Sequence, residues 1–280
     1  MLSRQLLERK EIKSIRDAEF QVFSQYGDDG IIQFLISRLK VPDRTFIEFG
    51  VENYKECNTR FLLMNNYWRG LVIDSDEKNI ESIKQEGISW RYSLTAVKQF
   101  VTRDNINRIF AENSFSGELE LLSIDVDGND YWIWEAIKTL TPHIVIVEYN
   151  SMFGIKYPIT IPYQEKFHRT AANRSNLYYG TSLKALHLLA LQKGYSFIGC
   201  NSAGNNAYFI RRDKIELLAP ISAVALEEGY VKAVFRECRD EQGRLTFLSE
   251  ELRLDLIKDM PVWDVEREKT YTIKELFLAH

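Results

Sequence analysis

Five short apolar runs, separated by stretches with helical spacing, fill the chain between Thr45 and Asn150 and leave few folds open to it. The runs are TFIEFGV (45–51), RGLVIDSD (69–76), the weaker WRYSLTAV (90–97), ELELLSIDVDG (118–128) and HIVIVEYN (143–150). Near-continuous apolar runs of this length suit strands buried on both faces, and a helix between successive strands makes them parallel. TRFLLMN, NIESIKQEG, DNINRIFAEN and YWIWEAIKTL are the helices, the second ended by Gly87 and the last stopped near Pro142. The expected fold is α/β: a mostly parallel, twisted sheet with helices on both faces.

The flanking segments extend this pattern. FSQYGDDGIIQFLISRL (23–39) reads as a loop entering a helix that turns Ile31, Ile32, Leu35 and Leu39 inward and stops at Pro42. Leu2, Leu6, Leu7, Ile12 and Ile15 predict an N-terminal helix over 1–20, which either packs on the domain or pairs two copies into a homodimer. TSLKALHLLALQKG (181–194) is a further helix closed by Gly194. YSFIGC and NAYFIRR follow, joined by the turn-rich NSAGN, and predict a C-terminal antiparallel hairpin. The main domain is thus expected over 21–212, with 151–180 as a substrate loop and 213–280 as a helical appendage.

Composition narrows the function. A 280-residue chain with 45% hydrophobic and 27% charged residues can bury a sizeable core. A net charge of −4 gives no electrostatic reason to expect nucleic acid. No stretch is long and apolar enough for a signal peptide or a membrane span. Cys57, Cys200 and Cys238 are widely separated and odd in number, so reduced thiols and a cytoplasmic location are expected.

Ligands of open α/β sheets bind beyond the carboxyl ends of the strands. The polar residues there are Glu48, Gly50 and Glu52, then Asp74 and Asp76, then Asp125, Asp127 and Asp130, then Glu148 and Asn150. Asp74 follows Gly50 by about two dozen residues, the separation at which such units present a carboxylate to ribose hydroxyls. That spacing fits both NAD and S-adenosylmethionine. EFGVENYKECN lacks GxGxxG, so no glycine turn cradles a pyrophosphate, and adenosylmethionine has none to cradle.

FIEFGVENYKECNTRFLLMNNYWRGLVIDSD, LLSIDVDGNDYWIW and IVIVEYN, with SQYGDD (24–29) ahead of them, resemble the ordered motifs of the FkbM-like family of S-adenosylmethionine-dependent methyltransferases. The resemblance covers roughly residues 20 to 212 and implies the Rossmann-like class I methyltransferase fold, although the first glycine-rich loop is reduced to EFGVEN. It implies that Glu48 and Gly50, with Glu52, line the methionine end of the cofactor. Asp74 would hold the ribose, and Asp125 would sit below the sulfonium. Gln25, Tyr26 and Asp29 would close the pocket from the N-terminal side, and Ser93 to Ala96 would border the adenine. It also implies O-methylation of a saccharide or related small molecule, such as a sugar or a phosphorylated sugar.

A hydroxyl acceptor needs its proton removed, by a base or with a metal's help. His168 and Glu148 are the candidate catalytic partners of Asp125, while His143 and His187 fall in structural positions. Asp125, Asp127 and Glu148 offer an oxygen set suited to Mg²⁺, although DVDGND is also a good turn sequence. Tyr157, Tyr163, Tyr178 and Tyr179, with Arg169 and Arg174, form either an acceptor surface or loop packing. Two other functions compete. Asp125-Val-Asp127 is formally the DxD of a metal-dependent glycosyltransferase, and the reduced first loop would also suit a nonenzymatic module.

Overall fold

The computed structural model describes residues 12–39, 43–234 and 238–277. Seven strands form the main sheet: β1 (Thr45–Phe49), β2 (Arg69–Asp74), β3 (Leu94–Lys98), β4 (Gly117–Ile124), β5 (Leu140–Glu148), β7 (Tyr195–Cys200) and β8 (Asn206–Arg211). Their order is β3-β2-β1-β4-β5-β8-β7. The first five are parallel, and β8 inserts antiparallel between β5 and β7. The expected Rossmann-like α/β sheet with its closing hairpin is therefore what the chain builds.

Alternate side chains point to opposite faces of a strand, and both faces are covered here. Ile47, Phe49, Leu71, Ile73, Val145 and Val147 bury one face against the helices Ile106–Glu112, Asp130–Ala136 and Leu183–Lys193. Phe46, Val72, Leu121, Ile144 and Ile146 bury the other against Asp28–Leu39, Arg60–Asn66 and Glu77–Gln85. Local chemistry sets the ends of these helices. Ser182 accepts from the Ala185 N–H, and Gly194 closes the same helix in the left-handed region.

Several expectations are corrected. The helix before Pro142 ends at Ala136, and Pro142 lies inside β5, paired with Leu119 before the β8 partnership begins at Ile144. A proline there removes no hydrogen bond that β8 needs. Trp90 and Arg91 belong to a short helix, and β3 starts only at Leu94. Of the helix expected over 1–20, Leu2, Leu6 and Leu7 lie outside the described residues. Within 12–20 there is a single 3-10 turn, Ile15–Ala18, with Ile12 and Ile15 buried. Pro42 also lies outside the described residues.

The largest corrections concern 151–180 and 213–280. The first segment carries β6 (Ile159–Thr160) and the second carries β9 (Pro261–Asp264) and β10 (Lys269–Thr272), which form a second sheet in the order β10-β9-β6. The appendage is thus not simply helical. Met152, Phe153, Ile159, Ile161, Phe167 and Tyr178 pack with Ile257, Val262 and Ile273 in a third core, because a loop this apolar cannot stay in water. Among the described residues no helix is long and apolar enough to cross a membrane.

Candidate active site

A cavity of about 510 Å³ opens at the carboxyl ends of β1 and β4, where the strand order reverses. Gly50 fixes its base. Its φ is +66°, and a Cβ there would stand 1.8 Å from the Asp125 carbonyl oxygen. Only glycine lets the chain leave β1 this close to the end of β4. The Gly50 N–H donates to Ile73 O at 3.0 Å, tying the same point to β2.

Glu48 and Asp74 shape the loop after β1. Glu48 accepts from the Asn58 and Thr59 N–H groups at 2.9 and 3.0 Å and from Thr59 Oγ1 at 2.5 Å. Both its oxygens are occupied, so it holds the wall on which it sits; burial pushes its carboxyl up to about 7 against those hydrogen bonds. Asp74 Oδ1 accepts from the Asp76 N–H at 2.8 Å and Asn79 Nδ2 at 3.1 Å, and Oδ2 from the Glu52 N–H at 2.8 Å. One lone pair of Oδ2 is left for a ligand hydroxyl. Glu52 itself, at φ +46°, lines the cavity with an exposed side chain.

Asp125, Asp127 and Glu148 converge: one carboxylate oxygen of each lies within 4.8 Å of the others. Asp125 is half-buried and Asp127 exposed, while Glu148 is buried and its Oε2 makes no hydrogen bond. Burial, then the Asp127 and Asp130 charges, hold the Asp125 carboxyl well above the usual range, and Arg169 opposes them. Burial, then Asp125, push Glu148 the same way. Arg169 Nη1 donates to Asp127 Oδ1 at 3.0 Å, Nε donates to Asn176 O at 2.8 Å, and the guanidinium lies 3.5 Å over the Tyr179 ring. Three carboxylates and one fixed guanidinium leave two negative charges, which protons, a bound cation or both must balance. Asp130 has a different task. It accepts from the Val126 and Gly128 N–H groups at 2.8 and 3.0 Å and so shapes the turn after β4; burial pushes it up to about 7.

Not every candidate reaches the cavity. Gln25 and Tyr26 line it, but Asp29 turns away, its Oδ2 accepting from the Val22, Phe23 and Ser24 N–H groups and from Ser24 Oγ. Asp29 is therefore the clasp of the N-terminal loop rather than a pocket residue. Gln99, Phe100 and Val101 line the cavity after β3 in place of Ser93 to Ala96, because β3 runs on to Lys98. His168 lies on the rim with its ring edge-on to Phe100 at 5.5 Å. His143 pairs with Glu118 at 2.6 Å near the start of its strand, and His187 packs on Phe197. Tyr178 and Tyr179 are buried in the third core and Arg174 is engaged with Glu241, so these three do not line the cavity. All three cysteines are free and buried.

Sequence reasoning missed the amide residues of the site. Asn58, Asn129, Asn176, Asn205 and Asn206 line the cavity. Asn205 and Asn206 sit on the hairpin turn, where Asn201 Oδ1 accepts their N–H groups at 3.3 Å. Buried Asp28 in turn accepts from Asn201 and Asn206 side chains at 3.1 Å and from the Tyr208 hydroxyl. The signal was the run NSAGNN, which reads equally as a turn.

No protein-family model matches the chain, and no curated protein matches it. Solved structures share the arrangement distantly. The N-terminal domain of EvdMO1, crystallised in the presence of SAH and D-fucose, is 9% identical, with a TM-score of 0.43 over 75% of this chain and 93% of that one. The O-methyltransferase from Bacillus cereus in complex with SAH is 12% identical, with a TM-score of 0.41 over 75% of this chain and 89% of that one. A SAM-dependent methyltransferase from Aquifex aeolicus is 8% identical, with a TM-score of 0.39 over 75% and 98%. Likeness at this level says nothing of the reaction.

Proposed function

We propose that the chain transfers a methyl group from S-adenosylmethionine to an oxygen of a saccharide or related small molecule. The observation that carries this reading is the placement of carboxylates in one cavity, Asp74 at the β2 end and Asp125 with Glu148 at the β4 and β5 ends. The cofactor joins a ribose diol to a sulfonium, and the cavity offers an acceptor for the first and surplus negative charge for the second. When bound, the cofactor supplies the methyl group. Asp74 orients the ribose through Oδ2, Gly50 holds the end of β1 against β4 beside the methionine portion, and Asp125 stabilises the positive centre. Glu148 Oε2, or His168 at the rim, receives the proton that the acceptor hydroxyl loses. Calorimetry with SAH tests the binding. Wild type should bind it and Asp74→Ala should bind at least tenfold more weakly, since a buried charge-assisted hydrogen bond contributes roughly 1.5–3 kcal/mol. A folded wild type that takes up no SAH would refute the reading.

A second reading adds Mg²⁺ to the same site. The unpartnered Glu148 Oε2 within the Asp125, Asp127 and Glu148 cluster favours it, since hard cations take carboxylate oxygens. Those residues would hold the ion and polarise an acceptor hydroxyl. Mn²⁺ should then titrate wild type with a paramagnetic signature that Glu148→Gln abolishes; equal binding by both proteins rules the site out.

A further inference from the structure

Three residues that line the cavity each carry a buried side-chain atom that makes no hydrogen bond: Asn129 Oδ1, Glu148 Oε2 and Asn176 Oδ1. The residues are 4%, 7% and 7% exposed. The two amide oxygens only accept, and the Glu148 oxygen accepts whenever its carboxyl is ionised. For Asn129 the orientation is fixed, because its Nδ2 donates to Gln164 O at 2.8 Å and a flipped amide would set oxygen against oxygen. Among the described residues, no buried side-chain donor on that wall is left over in the same way. Buried polar atoms rarely go unpaired, so the wall is built for a molecule that brings donors.

Charge points in the same direction. Among the described residues the wall holds seven carboxylates to a single arginine. That Arg169 is already committed to Asp127, to Asn176 O and to the Tyr179 face, so it presents no fork to an anion. Asn205 and Asn206 add amides that can donate as well as accept. A phosphate or carboxylate group brings acceptors and negative charge, and it would leave both orphaned amide oxygens unpaired.

We propose that the acceptor side of this cavity selects a polyhydroxylated or amine-bearing molecule that carries no phosphate or carboxylate. The inference rests on the methyl-transfer reading for what happens to that molecule, but its binding preference does not. The hydroxyl that reacts donates to Glu148 Oε2. As the oxygen–methyl bond forms and the sulfur–methyl bond breaks, the proton passes to that carboxylate and the cofactor leaves as neutral SAH. A cation on Glu148 would still leave two amide oxygens in need of donors.

Ligand-observed saturation-transfer NMR on the full chain, with SAH and EDTA present, tests this with D-glucose, D-glucosamine, D-glucose 6-phosphate and D-glucosamine 6-phosphate. The unphosphorylated members should give signal that SAH does not displace, and each phosphate should bind roughly tenfold or more weakly than its parent. Asn176→Gly, which suits the left-handed backbone there and removes only the side chain, should weaken the parents roughly tenfold, one lost buried hydrogen bond. Phosphorylated members that bind as well as their parents would overturn the proposal. So would silence from both parents when calorimetry shows SAH bound. A protein that binds the amino sugar but no SAH would refute the methyl-transfer reading and leave this one standing.

Discussion

Replacing Gly50 by alanine probes the close approach on which the cavity depends. The new methyl would stand 1.8 Å from the Asp125 carbonyl oxygen, against the 3.4 Å at which ordinary contact begins, so β1 and β4 must part by more than an ångström. Two costs add. An L residue in the left-handed region costs about 1–2 kcal/mol, and forcing a methyl into packed backbone costs about 1–3 kcal/mol. Gly87 separates them, because it has nearly the same φ (+68° against +66°) and nothing within 4 Å of its notional Cβ. Gly87→Ala therefore carries the first cost alone. At roughly 2–4 °C per kcal/mol for a chain approaching this size, Gly50→Ala should melt on the order of 5–15 °C below wild type, and Gly87→Ala only a few degrees below. Differential scanning calorimetry reads both. Isothermal calorimetry with SAH should show binding weakened in Gly50→Ala and kept in Gly87→Ala, since only the first change shifts the end of β4 that carries Asp125. Equal melting temperatures and equal SAH affinities in the two variants would refute the reasoning.

Two further outcomes follow from the buried carboxyls. Burial raises Asp125 and Glu148, so a sulfonium placed beside them should drive off a proton where neutral SAH does not. The heat of adenosylmethionine binding near neutral pH should therefore vary with the buffer's ionisation enthalpy and that of SAH should not; the same dependence for both ligands would count against Asp125 as the sulfonium's neighbour. Glu48 and Asp130 are raised from 4.5 and 3.8 to about 7, so the folded chain binds more protons than the unfolded one between those values. Their contribution is full below the ordinary carboxyl range and is lost as pH rises through about 7. The melting temperature of the ligand-free protein should thus fall from pH about 5 to about 8, and a flat or rising profile would show that these groups titrate normally.

The main sheet was legible because β1, β2, β4 and β5 are near-continuous apolar runs and two of the helices carry plain stop signals in Gly87 and Gly194. The convergence of Asp125, Asp127 and Glu148 was legible for a related reason: adjacent parallel strands end together, so residues just past their ends must meet. Asp29 was misread because its side chain folds back on Val22 to Ser24, a local choice that a polar loop sequence does not reveal. The second sheet escaped notice because PVWD and KTYT are four-residue strands that pair with each other, and β6, which pairs with PVWD, has only two residues, too short for periodicity to register. Asn129 and Asn176 look like ordinary turn residues, and only burial distinguishes them.

The pairing of β6 with β9 also sets an order in time. Ile159 and Thr160 wait for Asp264 and Trp263, about a hundred residues later in the chain, before their second sheet can close. At roughly 5–20 residues per second of synthesis, that interval lasts on the order of 5–20 seconds. The parallel strands that carry Gly50, Asp74 and Asp125 are all made before it begins, whereas Phe153, Ile159 and Ile161 gain the cover of Val262 and Ile273 only once it is over. In a nascent chain the half of the cleft bearing Gly50, Asp74 and Asp125 is thus the elder part, and the half bearing Phe167, His168 and Arg169 is the stretch for which a chaperone would compete.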